Sequence, residues 1–268
     1  MNRRTFVSST LSLSISLALA DDLKRQAFHA VACEGSYPRH LQGFCTNDRD
    51  AIFWCFTTTL VKTDVDGRVL KHVPVASHHG DLCYKDGRVY VAVNLGKFNE
   101  PAGKEDSWVY VYDAETLAEV ARHPVPELVH GAGGMAYHDG KFIIIGGLPP
   151  GVNENYVYEY DESFRFQKRH VLASGYTLMG IQTVTHADGA WWFGCYGKPA
   201  VLLRSDEKFQ FTGKWEFNAS VGIAPLERGR FLIAQNTAVN ASDGKTKLNK
   251  ARLVIARADE KAGMMIEK

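Results

Sequence analysis

The sequence has no surplus of either charge: 31 Lys and Arg face 30 Asp and Glu, a formal net charge of +1 spread along the chain. Without a field of one sign, binding to nucleic acid or to an acidic membrane surface is not expected. Beyond its first twenty residues it also lacks any apolar run near the roughly 18 residues that a membrane span requires. No amphipathic helical pattern of useful length is present, so nothing competes with an all-β reading. Cysteine is scarce: Cys33, Cys45, Cys55, Cys83 and Cys195 include no Cys-x-x-Cys pair, so neither a zinc cluster nor a disulfide framework is indicated. Four of them fall in apolar strand patterns and read as small buried hydrophobes, with one disulfide between neighbouring strands left open as an alternative.

What is present is an ordinary globular composition, 45% apolar and 23% charged over 268 residues, enough for a sizeable core. The first twenty residues stand apart. Arg3 and Arg4 precede an apolar, hydroxyl-rich run from Phe6 to Leu19 that ends in Ala18-Leu19-Ala20 before Asp21-Asp22. That is the pattern of a signal peptide over residues 1–20, leaving 21–268 as a single domain in the periplasm or outside the cell. Asn2-Arg3-Arg4-Thr5-Phe6-Val7 resembles the twin-arginine export motif; an ordinary secretory signal is the alternative. The mature chain is expected to be a monomer with no membrane contact.

A repeat organises the rest. Lys85-Asp86-Gly87, His138-Asp139-Gly140, Ala187-Asp188-Gly189 and Glu227-Arg228-Gly229 are turn signals, each followed at once by a β-rich run such as Arg88 to Val93 or Lys141 to Ile145. Asn47 to Asp50, followed by Ala51 to Phe56, supplies an earlier copy. Downstream of each copy lies a second pair of strands around a polar turn. Five units of four antiparallel strands predict a five-bladed β-propeller. The fifth unit stops after its third strand, while an unassigned strand, Gln26 to Ala32, precedes the first. The N-terminal strand is therefore expected to complete the last blade and remove the open edge.

The repeat form resembles that of secreted bacterial kelch-like and gluconolactonase-like propellers, although no catalytic motif of those families accompanies it. The faces of such a ring differ. One carries short solvated turns; the other carries longer, variable loops, where binding usually sits. Ten residues before the end of each first turn stand His40, Ser77, His130, Met179 and Ala219, with His78 and His79 directly after Ser77. Seven residues before it stand Gly43, Gly80, Gly133, Gln182 and Gly222, so the inner strands are expected to crowd at the axis.

His40, His79 and His130 are thus candidate catalytic residues at the channel mouth. With Gln182 they make a candidate ligand set for a divalent metal such as Mn, Zn or Ca; one His acting as a general base is the metal-free alternative. Three His and one Gln are similar to the manganese site of oligogalacturonate lyases. Asp81, Asn94, Lys97, Tyr196, Lys198 and Asn236 are candidate substrate-binding residues, with Phe98 and Trp108 as further stacking surfaces. His72, His123, His138, His170 and His186 read as surface residues. The expected ligand is a small molecule or oligosaccharide, and the expected activity is lyase or hydrolase chemistry on a carbohydrate or uronic acid. A non-catalytic propeller that binds a glycan or protein is the alternative, and a scaffold with an exposed apolar patch is a third.

Overall fold

The polar turns close hairpins because their central residues accept left-handed backbone: φ is 48° and 76° at Asp86 and Gly87, 47° and 76° at Asp139 and Gly140, and 51° and 69° at Asp188 and Gly189. Such mirror-image turns match the twist of the strands they join. In the first unit the Asn47 side chain does the same work, its Oδ1 accepting the backbone N–H groups of Arg49, Asp50 and Ala51.

In the computed structural model, which describes residues 28–268, these hairpins assemble into five antiparallel sheets. Blade 1 comprises Leu41–Thr46, Ala51–Phe56, Thr59–Asp64 and Val69–Pro74; blade 2, His79–Lys85, Arg88–Asn94, Ser107–Asp113 and Glu119–Pro124. Blade 3 comprises Ala132–His138, Lys141–Gly146, Asn155–Asp161 and Phe166–Leu172; blade 4, Leu178–Ala187, Ala190–Tyr196, Val201–Asp206 and Phe211–Glu216. Blade 5 is built on Ile223–Glu227, Arg230–Asn240 and Lys247–Asp259. The first strand of each blade packs against the first strands of both neighbours, which closes the ring. The protein is therefore an all-β, five-bladed propeller. Among the described residues no helix is long and apolar enough to cross a membrane; the expected signal peptide lies outside the described residues.

Burial follows position in the blade. Ala51–Phe56 is buried throughout, whereas the outer strand Val69–Pro74 is mostly exposed. Five apolar clusters fill the five seams; one holds Phe44, Trp54, Ala234 and Leu253 between blades 1 and 5. Trp54 is fully buried and satisfies its indole by donating Nε1–H to Thr63 Oγ1 at 3.0 Å. Each such side chain contributes about 1.5–3 kcal/mol of burial, so the seams hold the ring together. All five cysteines are buried with free thiols, four of them in strands, as small apolar fillers.

Closure uses both ends of the chain, which corrects the reading of a fifth unit with only three strands. Val31 and Leu253 exchange backbone hydrogen bonds, Cys33 N–H donates to Ala251 O, and Tyr37–Pro38 pairs with Leu248 and Asn249. Farther along the same strand Gly263–Ile266 pairs with Ala256 to Asp259. The fourth position is shared because Lys247–Asp259 is twice the usual strand length. Gln26 and Ala27, the start of the expected closing strand, lie outside the described residues.

The run from Gln235 to Asn240 continues its strand and pairs through Asn240↔Lys247 as a projecting hairpin. Asn236 is correspondingly a seam residue. Its Oδ1 accepts the Leu41 N–H at 3.0 Å and its Nδ2–H donates to Asn249 Oδ1 at 3.0 Å, so its polar atoms join blade 5 to blade 1 rather than face a ligand. Asn236→Ala is expected to lower the unfolding free energy by about 1–2 kcal/mol, because it orphans a backbone N–H at the closure point. Urea titration of the variant beside the parent protein measures this; an unchanged midpoint would remove Asn236 from the closure.

Candidate functional site: a neutral pocket at the channel mouth

The inner strands approach the axis so closely that side chains are excluded there. A Cβ on Gly80 would lie 2.2 Å from Gly133 O, and one on Gly43 would lie 2.0 Å from the Asp81 carboxylate. Four of the five inner strands also slip register near their entrance, between Leu41 and Gly43, His79 and Leu82, Ala132 and Gly134, and Leu178 and Thr183. A bulge turns the strand and re-aims its side chains, and here the slips widen the mouth above the glycine constriction. The result is a cavity of ≈ 180 Å³ whose walls include His40, His78, Phe98, Met179, Gln182 and Tyr196.

His40, just before blade 1, and Tyr196, at the end of the second strand of blade 4, meet at the cavity wall, with Nε2 3.3 Å from the phenol oxygen. Burial lowers the His40 pKa below its ordinary value, and neighbouring His78 and Arg39 add to the effect, so the imidazole is neutral at pH 7. Burial likewise raises the Tyr196 hydroxyl to about 12. Gln182 occupies the one inner position where the other blades have glycine. It donates Nε2–H to Met179 O at 2.6 Å, leaving its Oε1 without a protein partner. Phe98 lies flat over blade 3, filling the space that side chains on Gly131 and Gly133 would need. Among the described residues no Asp, Glu, Lys or Arg lines the cavity.

The expected metal set is not assembled. His79 is completely buried, with Nδ1 2.5 Å from Ala76 O and Nε2 2.7 Å from the Tyr112 hydroxyl, so neither ring nitrogen is free. The cause is strand alternation: Gly80 faces the axis, which points His79 into the blade. His130 sits outside the cavity, its Nδ1 3.0 Å from Glu100 O and its ring stacked on Tyr156. His40, His79 and Gln182 of the four line the cavity, but His79 has both ring nitrogens engaged, and among the described residues no three His, Cys, Asp or Glu side chains cluster as an ion requires. The residues present do not fit a divalent metal here, and the likeness to the oligogalacturonate lyase site is not shown.

The other expected contacts divide. Tyr196 and Asn94 line the cavity, but Asn94 uses its amide on its own loop, donating to Gly96 O and accepting from Asp106 N–H. Lys97 and Lys198 are exposed and stand outside the cavity. Trp108 is outside as well, its indole donating to Asp106. Asp81 lies beneath the floor, 2% exposed; it accepts backbone N–H groups of Phe44, Leu82 and Val184 and so ties blades 1, 2 and 4 at the axis. Burial raises its pKa far above the usual carboxylate range. His78, the residue that sequence reasoning passed over, is in the wall; the offset of one from Gly80's neighbour His79 was the signal that could have found it. Away from the site, His123, His170 and His186 are half-buried rather than plain surface residues. His123 stacks on Phe164, His170 bonds Glu159, and His186 stacks on His138 with centroids 3.5 Å apart.

No protein-family model matches the chain, and no curated protein sequence matches it. Solved structures do. A glutaminyl cyclase of Myxococcus xanthus is similar with a TM-score of 0.53 at 14% identity, over 84% of this chain and 97% of that one. BamB from Moraxella catarrhalis is similar with a TM-score of 0.40 at 11% identity, over 83% of this chain and 90% of that one. The WD40 repeats of RRP9 are similar with a TM-score of 0.47 at 10% identity, over 78% of this chain and 62% of that one. At these identities the likeness is one of fold alone.

Proposed function

We propose that this protein is an exported propeller that binds one small, uncharged, sugar-like molecule at the mouth of its central channel. The carrying observation is the make-up of the pocket wall. His40, Gln182 and Tyr196 supply neutral hydrogen-bonding groups beside His78, Phe98 and Met179, with no carboxylate, ammonium or guanidinium among the described residues of the wall. A sugar ring offers hydroxyl edges and an apolar face, and this mixture suits both. A uronic acid suits it less, because Lys97 and Lys198, the cations expected to pair with its carboxylate, stand elsewhere. The export signal read in residues 1–20 would deliver the protein to a compartment where free glycans occur.

A second reading, His-assisted lyase or hydrolase chemistry, is favoured by the His40–Tyr196 pair. A neutral imidazole whose Nε2 lies 3.3 Å from a hydroxyl is equipped to take a proton from a bound substrate, with the phenol as a neutral donor nearby. That a similar fold carries a glutaminyl cyclase supports the scaffold's capacity for catalysis.

Titration calorimetry of neutral mono- and disaccharides against their uronate counterparts tests the reading. Neutral sugars are expected to bind in preference, and His40→Ala or Gln182→Ala to weaken them about tenfold, ~1.4 kcal/mol. Binding of uronates alone, or affinities unmoved by both substitutions, would overturn it. Product analysis on the bound sugars separates the two readings, since only the enzymatic one yields turnover that His40→Ala abolishes.

A further inference from the structure

Beside the pocket the protein holds three large apolar side chains in water. Tyr176, Leu178 and Met179 are 37%, 47% and 40% exposed, in one run that enters the inner strand of blade 4. The backbone beneath them is firmly anchored. Thr177 Oγ1 donates to Asn155 Oδ1 at 3.0 Å and Asn155 Nδ2 donates to Ser174 Oγ at 2.9 Å, all three residues being buried. Gly180 sits so tightly on blade 3 that a Cβ would lie 2.1 Å from Gly146 O. Met179 itself is in the left-handed region at φ 61°, which a side chain adopts at a cost, and the Gln182 amide bonded to its carbonyl holds it there.

The register slip also differs from those of the other blades. Between Leu178 and Thr183 the inner strand advances five residues while its partner advances two, from Tyr196 to Gly194. In blade 1 the same slip is two residues against one. Blade 4 thus carries extra chain at one place: Met179 lies within it, and Tyr176 and Leu178 lead into it, Leu178 paired with Tyr196 of the cavity wall. Met179 belongs to both features, since it lines the cavity and ends the exposed run. Exposed apolar side chains on a rigid, buried base, continuous with a cavity, mark a surface that something covers.

We infer that Tyr176, Leu178 and Met179 form a second, apolar subsite, which receives an aryl or alkyl substituent carried by the molecule in the pocket. The inference rests on the neutral, sugar-like ligand proposed above and narrows it to glycosides with an apolar aglycone. The pocket takes the ring, and the substituent leaves the mouth over blade 4. Tyr176 and Leu178 do not line the cavity, so they can be changed without touching the part that holds the ring.

Matched methyl and phenyl β-D-glycosides of glucose, galactose and xylose, titrated calorimetrically against the parent protein and a Tyr176→Ser/Leu178→Ser variant, test it. The parent is expected to bind the phenyl member about tenfold more tightly, as burial of the added ring area implies. In the variant that preference should fall below about threefold while affinity for the methyl member is unchanged; both substituted side chains are exposed, and a thermal melt confirms that the variant folds. Methyl glycosides that bind with no phenyl preference, or a preference that survives the double substitution, would overturn the subsite and leave the sugar pocket standing. Failure of every glycoside to bind would overturn both.

Discussion

Asp81→Asn should gain stability over the parent protein as pH rises, by about 1.4 kcal/mol for each pH unit above the carboxylate's unfolded value while the native carboxyl keeps its proton. The reason is its place on the axis. The side chain is 2% exposed, its Oδ1 has no partner, and burial raises its pKa far above the ordinary value of 3.8. The native state then binds a proton that the unfolded chain has released. Stability from this group is whole below about pH 4 and is lost as pH climbs toward the native pKa. Asparagine keeps an oxygen for the backbone donors of Phe44, Leu82 and Val184 and has no proton to lose. Urea unfolding at pH 5, 6 and 7 measures the gap between the two proteins, and a gap that does not change with pH would show that Asp81 is ionised in the native state.

His79 acts in the opposite direction. Burial lowers its pKa from 6.5 to about 4, and the ring is 0% exposed. Here the unfolded chain binds the proton first, so stability from His79 is present above pH 6.5 and is lost as pH falls toward 4, by about 3 kcal/mol in total. His79→Gln should remove that acid sensitivity, at a cost near neutrality from its lost contacts with Ala76 and Tyr112. Unfolding midpoints between pH 7 and pH 4 should converge for parent and variant; parallel curves would mean that the ring can charge without leaving its place. From these two groups together, the slopes oppose above pH 4 for as long as the Asp81 carboxyl keeps its proton, so the parent's stability is expected to vary less with pH between 4 and 6.5 than either group alone would make it.

His79 also shows where a linear reading stops. Counting back from the Asp-Gly turns correctly found the glycines at the axis, because closure of a ring demands the same small residue at equivalent positions, and Gly43, Gly80 and Gly133 meet that demand. The same count failed to foresee which imidazoles share a space. Side chains alternate along a strand, so one residue of offset moves a ring from the channel to a seam. At the level of the pocket the inner strands of blades 1, 2 and 3 each slip by one residue, and that of blade 4 slips by three. His130 was lost to the site in this way, His79 lines it only with both ring nitrogens already engaged, and His78 entered it. Asn236 illustrates a related difficulty, since its polar run could serve a loop or an extended hairpin equally, and only pairing with Lys247–Asp259 decides between them.

The sequence by itself determined the number of blades, the turn chemistry between their strands, the involvement of both chain ends in one ring, and the crowding at its axis. These are local or periodic properties: a two-residue turn needs left-handed backbone, and a repeated unit needs a repeated pattern. Only the tertiary structure decided which side chains meet at the mouth, that no Asp, Glu, Lys or Arg of the described residues is among them, that a carboxyl is sealed beneath them, and that blade 4 raises an apolar edge beside them. Those depend on contacts between residues more than a hundred positions apart, such as Asp81 with Val184 and His40 with Tyr196, and on bulges that no repeat spacing encodes.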